Sequence, residues 1–278
     1  RRRRRRRRKL KMAKLFINQA KQYADARPTY PSELFKFIAS KTPTHDLAWD
    51  VGTGNGQAIS PLANIFKNVI GTDTSPTQLE LAPRLPNVNY YVAPPVMSID
   101  ELQQKVPIAQ SSLDLVTVGQ AMHWFDLPKF YDLLKWALKK PSGLIAAWCY
   151  SNLSVNGEVD AVFGPFYEES QPYWEEARKL VEDKYRSIYF PFGPVDGLDH
   201  TGPFEFVAER VMTMEDLLTY IRSWSAYNTA KEKGVELLTE EVVEKFRVAW
   251  NSGGGDEGDE KVAKFPIHLR IGKVGDLN

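Results

Sequence analysis

The most chemically suggestive arrangement in the chain is an acid at the end of an apolar stretch that runs straight into alternate glycines, Trp49-Asp50-Val51-Gly52-Thr53-Gly54-Asn55-Gly56. Side chains at Gly52, Gly54 or Gly56 would keep a ligand from lying against the backbone, and glycine accepts the dihedrals of a tight turn. A helix that follows such a turn begins with free N–H groups and the positive end of its dipole, which suit an anionic group such as a carboxylate. A second acid, Asp73, stands 21 residues beyond Gly52 at the end of the next apolar run. There a carboxylate can accept hydrogen bonds from both hydroxyls of a ribose. Together the two features describe a nucleoside site. A nicotinamide dinucleotide would share the acid, but its turn is spaced Gly-x-Gly-x-x-Gly to seat a pyrophosphate, and here the third glycine comes one residue early.

These groups need a scaffold, and the surrounding pattern supplies one. Leu34 to Ser40 suits a helix opened by Ser32 as N-cap after Pro31. Leu47 to Val51 reads as a strand and Gln57 to Phe66 as a helix, with Pro61 tolerated if it falls in the first turn. Val69 to Asp73 is a second strand, closed by Thr74-Ser75-Pro76 as a turn and helix start, and Val88 to Val92 a third. A helical segment near Ile99 to Gln104, a strand over Leu113 to Val118, a helix over Leu127 to Leu138 and a strand over Leu144 to Trp148 continue the alternation. That rhythm predicts an α/β fold: a Rossmann-like, doubly wound parallel sheet whose ligand sits beyond the carboxyl ends of the strands.

After Tyr150 the rhythm stops. Ser151 to Pro203 is rich in aromatics, prolines and charges, with one helix expected over Tyr173 to Tyr185. Phe204 to Met212 reads as a strand, Met214 to Ala226 and Glu240 to Trp250 as helices, Ser252 to Glu260 as an acidic glycine-rich loop, and Ala263 to Val274 as a closing strand. Residues 151–226 are read as an inserted helical cover on the substrate side of one domain spanning 12–278.

The chain carries 36 Lys+Arg against 35 Asp+Glu, but ten of the cations lie in residues 1–11, a run that reads as an expression tag. From Met12 on, 26 Lys+Arg face 35 Asp+Glu, a net charge of about −9. This argues against a nucleic-acid or anionic-membrane partner. The single cysteine, Cys149, cannot form an intramolecular disulfide, and the four histidines show no metal-site spacing, so no metal is expected. With no apolar run of about 18 residues and no signal-peptide core after Met12, a cytoplasmic protein is expected, monomeric or homodimeric.

Asp50 to Gln57 resembles motif I of the class I S-adenosylmethionine-dependent methyltransferases. More narrowly, Phe16-x-x-x-Ala20-x-x-Tyr23-x-x-x-Arg27-Pro28-x-Tyr30-Pro31 and Gln120-Ala121-x-His123-Trp124-Phe125-Asp126 resemble the subfamily that contains fungal trans-aconitate methyltransferase and its plant relatives. The dense match runs from Phe16 to Tyr150, with a looser one over Ser223 to Tyr227 and the final strand. The resemblance implies a seven-stranded sheet with an antiparallel final strand and S-adenosylmethionine as cofactor. It implies that Asp50, Gly52, Thr53, Gly54 and Gly56 hold the methionine end, that Asp73 holds the ribose, that Thr74 lies near the adenosine, and that Gln120 and Arg27 belong to the same site. One departure stands out: the turn after the third strand reads Ala93-Pro94-Pro95, without the acid or small polar residue many relatives offer to adenine. Adenine would then be met by backbone groups or other side chains.

By the same resemblance Tyr23, Arg27 and Tyr30 belong to a lid that excludes water, with Tyr23 closing over the methyl group and Arg27 supplying charge for a carboxylate of cofactor or substrate. His123, emerging after the fourth strand, can orient the substrate or accept a proton, and Trp124 can shape the pocket or meet the cationic cofactor with its ring face. Trp148, Tyr150, Trp224 and Tyr227 are candidates for the acceptor pocket, although aromatics at helical spacing are more often core. Asp114, at the start of a strand, is expected to be structural. The expected reaction is methyl transfer to a small molecule at a carboxylate oxygen, giving a methyl ester. The alternatives are N-methylation of a small amine, towards which the negative body leans, and a non-catalytic binding module of the same fold.

Overall fold

In the computed structural model of the protein, which describes residues 27–252 and 258–275, the expected alternation becomes a single seven-stranded sheet. Helix α1 (Ser32–Lys41) leads into β1 (Leu47–Val51), then α2 (Ile59–Ile65), β2 (Asn68–Asp73), α3 (Pro76–Leu81), β3 (Val88–Val92), α4 (Ile99–Lys105), β4 (Leu115–Gly119), α5 (Leu127–Ala137) and β5 (Leu144–Tyr150). Beyond these come α6 (Gly157–Ser170), α7 (Arg178–Glu182), β6 (Phe204–Met212), α8 (Met214–Arg222), α9 (Ser225–Glu232), α10 (Glu240–Trp250) and β7 (Lys261–Lys273). Strand order is β3-β2-β1-β4-β5-β7-β6. The first five strands pair parallel, and β7 runs antiparallel to β5, from Leu144↔Lys273 to Tyr150↔Ile267.

Because β1 to β3 wind one way and β4 and β5 the other, winding reverses between β1 and β4. Ligands of open α/β sheets bind at the carboxyl ends of the strands at such a switch point. Both faces of the central strands are covered, so they read as continuous apolar runs rather than as alternation. The core gathers Trp49, Val51, Val116, Val118, Ile145, Ala147 and Cys149 with Phe130, Leu133 and Leu134 of α5.

The chain folds into two compact units. One comprises Tyr30–Asn152, Ala177–Ala208 and the chain from Pro266; the other holds Leu153–Glu176 and Glu209–Phe265 with the described residues before Tyr30. Strands β6 and β7 each pass from one unit into the other. The second unit has its own aromatic core, in which Trp224 meets Phe163, Phe166, Tyr167, Trp174 and Tyr220 with ring centroids 5.4–6.0 Å apart. Among the described residues no helix is long and apolar enough to cross a membrane.

Several boundaries differ from the expectations raised by the sequence. Ser32 does not cap α1: Pro31 holds the cap position, and the Ser32 hydroxyl donates to the Glu33 carboxylate at 3.1 Å. Strand β4 starts at Leu115, since Leu113 makes only an isolated bridge to Leu138. The helix expected over Tyr173 to Tyr185 shrinks to a 3-10 turn, Gln171–Tyr173, and the short α7. Helix α6 is hidden in the sequence by Gly157, Gly164 and Pro165, yet Asn156 caps it by accepting from the Val159 N–H at 2.9 Å, and Val159, Phe163, Phe166 and Tyr167 bury one side of it. The helix expected over Met214 to Ala226 breaks at Trp224, whose backbone is extended, to give α8 and α9. The loop expected over Ser252 to Glu260 lies partly outside the described residues.

At the amino ends of the strands Asp114 is structural, as expected. Its carboxylate accepts from the backbone N–H groups of Asp46 and Leu47, each at 2.8 Å, from the Thr44 hydroxyl, and from Lys139 Nζ at 2.7 Å. Burial alone would raise the Asp114 carboxyl, but Lys139, Thr44 and the two N–H groups outweigh it and hold it below the ordinary range. Asp114→Ala leaves these donors without their acceptor beside the start of β1, so it is expected to cost about 2–4 kcal/mol. Urea unfolding followed by circular dichroism would show the midpoint fall with little change in slope; an unchanged midpoint would refute the role.

Candidate active site

The glycine turn stands directly above the switch point. Asp50 is 2% exposed, one residue before the end of β1, and pairs in register with Thr117 of β4. The Thr117 hydroxyl donates to Asp50 Oδ1 at 2.6 Å, across the point where the winding reverses. Burial pushes the Asp50 carboxyl up from 3.8 to about 6; the hydrogen bond of Thr117 opposes this, and the charge of Asp73 adds to it. Thr117 has no signature in the sequence, because only the strand pairing puts it opposite Asp50.

The glycines serve different purposes. Gly54 has φ +56, and a Cβ there would point into open space, with the nearest atom, Gln78 Oε1, 4.0 Å away. This is the place where a ligand can lie against the backbone. At Gly52 a Cβ would collide with Ala121 Cβ at 2.9 Å, and at Gly56 with the Pro83 ring at 2.7 Å. Those two glycines therefore let neighbouring chain pack close, a refinement of the expectation that all three clear space for a ligand.

Asp73, at the end of β2, takes the Gly54 N–H on Oδ2 and the Ser75 N–H on Oδ1, each at 2.8 Å. The same carboxylate thus shapes the glycine turn and starts the next helix, whose Ser75 side chain accepts from the Gln78 N–H. Each oxygen keeps a second lone pair for a hydroxyl donor. Thr74 is exposed beside it. In the next turn the Ala93 N–H is spent on the Asp73 carbonyl at 3.0 Å, and Pro94 and Pro95 have no N–H, so these three residues have no backbone N–H to offer a ligand.

The segment after β4 completes the edge. Gln120 takes a left-handed backbone, φ +56, with its N–H bonded to the Trp148 carbonyl at 2.8 Å, while its side-chain oxygen accepts from the Tyr150 N–H at 2.8 Å. The amide is thereby tied to the end of β5, which makes Gln120 a brace for this loop. Met122 is fully buried and anchors a 3-10 turn, Met122–Trp124, from which Trp124 emerges 56% exposed and His123 half-buried. Phe125 packs on Phe130 and lies near Gly52, so the two sequence motifs meet at Gly52, Ala121 and Phe125.

Trp148 is fully buried under Gly119 and packs edge-on against Tyr30 and Phe35, at 5.2 and 6.0 Å. The Tyr30 hydroxyl would stand 3.1 Å from a Cβ at Gly119, so Tyr30 reaches the end of β4. Tyr150 is buried at the end of β5. Arg27, Trp224 and Tyr227 belong to the other compact unit, where Arg27 is half-buried and Trp224 sits in the aromatic core. The Tyr227 hydroxyl is bonded to the Glu236 carboxylate at 2.8 Å. Tyr23 lies outside the described residues. One group that the sequence does not flag is Tyr185, fully buried, whose hydroxyl lies 2.8 Å from His123 Nδ1. Nothing in the sequence joins residues 62 positions apart in a segment without periodic pattern.

A family model described as a methyltransferase domain matches residues 49–146. A Dictyostelium discoideum protein provisionally named a methyltransferase is 32% identical over 93% of this chain and 94% of its own length. A solved structure provisionally named a type II methyltransferase, from Anaeromyxobacter dehalogenans, is 31% identical and superposes with a TM-score of 0.75 over 89% of this chain and 98% of that one. The chain belongs to the class I S-adenosylmethionine-dependent methyltransferases. A Saccharomyces cerevisiae protein, provisionally named as S-adenosylmethionine-dependent, is 23% identical over 76% of this chain and 80% of its own length.

The methyltransferase's cofactor is S-adenosylmethionine, and the open approach at Gly54, flanked by two carboxylates, fits it. The buried Asp50 gives this edge a measurable property. Its folded-state value lies above its ordinary one, so the folded state holds the proton that the unfolded chain releases, and ligand-free stability falls as pH rises from about 4 through 6. Asp50→Asn keeps an acceptor for Thr117 and abolishes that loss. The ligand-free variant is expected to be more stable than the parent by about 1–3 kcal/mol at pH 8, with the gain shrinking towards pH 5. Thermal unfolding across that range checks it, and equal melting temperatures at pH 8 would rule it out.

Proposed function

We propose that the methyltransferase methylates a small carboxylic acid on oxygen, and that the residues of the glycine turn and the β4 loop divide the work between cofactor and acceptor. Bound S-adenosylmethionine supplies a methyl group on a sulfonium, an electrophile that needs an aligned nucleophile more than a strong base. Asp50 and the backbone at Thr53 and Gly54 would hold the methionine end, Asp73 the ribose hydroxyls, and Thr74 with the Ala93-Pro94-Pro95 carbonyls the adenosine side. His123, Trp124, Tyr30 and Tyr150 would face the acceptor.

The observation that carries this reading is the character of the side chains at the ends of β4 and β5. Gln120, His123, Trp124, Trp148 and Tyr150, with Tyr30 beside them, are aromatic, amide or imidazole, while Asp50 and Asp73 stand at the ends of β1 and β2 and are engaged by Thr117 and by loop N–H groups. A carboxylate acceptor is already ionised near neutral pH and needs donors, not a base. An ammonium acceptor would need both a counter-charge and a proton acceptor. The resemblance to the trans-aconitate methyltransferase subfamily points the same way.

The test offers radiolabelled cofactor with panels of small di- and tricarboxylic acids and of small amines. Label is expected in base-labile methyl esters; label confined to amines would overturn the reading. For the cofactor roles, Asp73→Ala is expected to weaken S-adenosylhomocysteine binding at least tenfold by calorimetry, a loss of about 1.4 kcal/mol or more; unchanged affinity would remove Asp73 from the site.

A further inference from the structure

His123 is the imidazole of the β4 loop, and as a ligand group it has two possible roles: it gives a hydrogen bond or it takes a proton. Which one depends on the ring nitrogen that carries hydrogen, and that is set by what the other nitrogen meets. Here Nδ1 meets the Tyr185 hydroxyl at 2.8 Å.

Tyr185 is fully enclosed in the core of its unit, and burial drives its hydroxyl well above its ordinary range, so it keeps its proton. A buried hydroxyl proton requires an acceptor. Nδ1 is the acceptor within reach. An Nδ1 that accepts carries no hydrogen, so the neutral ring holds its proton on Nε2.

The backbone around Tyr185 is unusual in the same sense. Lys184 and Tyr185 both lie in the left-handed region, at φ 59 and 60, a conformation that non-glycine residues adopt at a cost and that persists where surrounding structure enforces it. The enforcement comes from Arg270 of β7. Its buried guanidinium donates to the Tyr185 carbonyl at 2.8 Å and to the Thr201 hydroxyl at 3.1 Å, and rests over the Phe190 ring at 4.6 Å. A strained turn, pinned by a buried cation, thus delivers one hydroxyl to one imidazole nitrogen.

We propose that Tyr185 is a positioning residue that fixes His123 in the Nε2–H tautomer, making His123 a hydrogen-bond donor to an anionic oxygen of the acceptor rather than its base. The inference deepens the carboxylate reading and rests on His123 facing the acceptor. A donor at Nε2 orients a carboxylate and leaves its second oxygen to attack. The same nitrogen, already protonated, cannot relieve an ammonium of its proton.

The experiment begins with the ligand-free protein, so that it does not depend on the acceptor's identity. Long-range 1H–15N spectra of 15N-histidine-labelled protein at pH 8 report the tautomer of each ring, with the His123 signals identified by their loss in His123→Gln. The expected parent spectrum shows protonated Nε2 and bare Nδ1 at His123, and Tyr185→Phe moves the ring towards a tautomer mixture. An Nδ1–H ring or an even mixture in the parent overturns the proposal, whether or not the Tyr185 variant folds. Kinetics give a second reading: Gln keeps an N–H donor, so His123→Gln is expected to stay within about tenfold of the parent in kcat/KM while His123→Ala falls about 100-fold. Equal losses in the two variants would likewise sink the donor role. Label found on amines, with the Nε2–H tautomer intact, would count against the carboxylate reading and the acceptor's role in it while leaving the positioning by Tyr185 standing.

Discussion

A carboxylate taken out of water between two strands of opposite winding sets the terms for this site. Asp50 gains one hydroxyl from Thr117 and loses most of its solvent, an exchange that leaves it less acidic than an ordinary aspartate. The sheet's reversal makes the bond possible, since β1 and β4 become neighbours only where the chain changes direction. Everything nearby then has to fit around a buried acid: Gly52 packs against the β4 loop, Gly54 turns left-handed above it, and Asp73 fastens that turn from the next strand. A cation brought to this edge would restore to Asp50 the stabilisation that burial removed, which is a physical reason for a ligand with an ammonium group to settle here.

Two kinds of group share the carboxyl edge. The acids belong to β1 and β2, and the aromatic and imidazole groups to β4 and β5. Asp50, Asp73 and Gln120 all spend part of their hydrogen-bonding capacity on loop or strand backbone or on a neighbouring strand, so the edge is organised before any ligand arrives. Preorganisation of that kind matters more for a displacement on a strong electrophile than an added base does.

Much of this is legible in the residues themselves. The glycine turn, the spacing to Asp73 and the five alternating strands follow from local chemistry and period, and each lies close to its expected place. The helix starting at Gly157 is not legible, because Gly164 and Pro165 look like breakers until a buried aromatic face overrides them. The break at Trp224 is hidden for the opposite reason: the apolar spacing runs through it uninterrupted. Within the site, Thr117 and Tyr185 are silent because their roles are tertiary. One depends on strand register and the other on a turn held by Arg270, and neither leaves a periodic or motif signal.

Strand β7 stands between β5 and β6 although it follows both in the chain. During synthesis β5 therefore waits with an open edge, and β6 without its sheet neighbour, until the last strand emerges; exposed edges are where nascent sheets mispair. Arg270 arrives on that strand too, so the turn that carries Tyr185 to His123 gains its clamp last. The glycine turn can mature early and the imidazole late. A chain still lacking β7 would thus carry the glycine turn without the clamp on the Tyr185 turn.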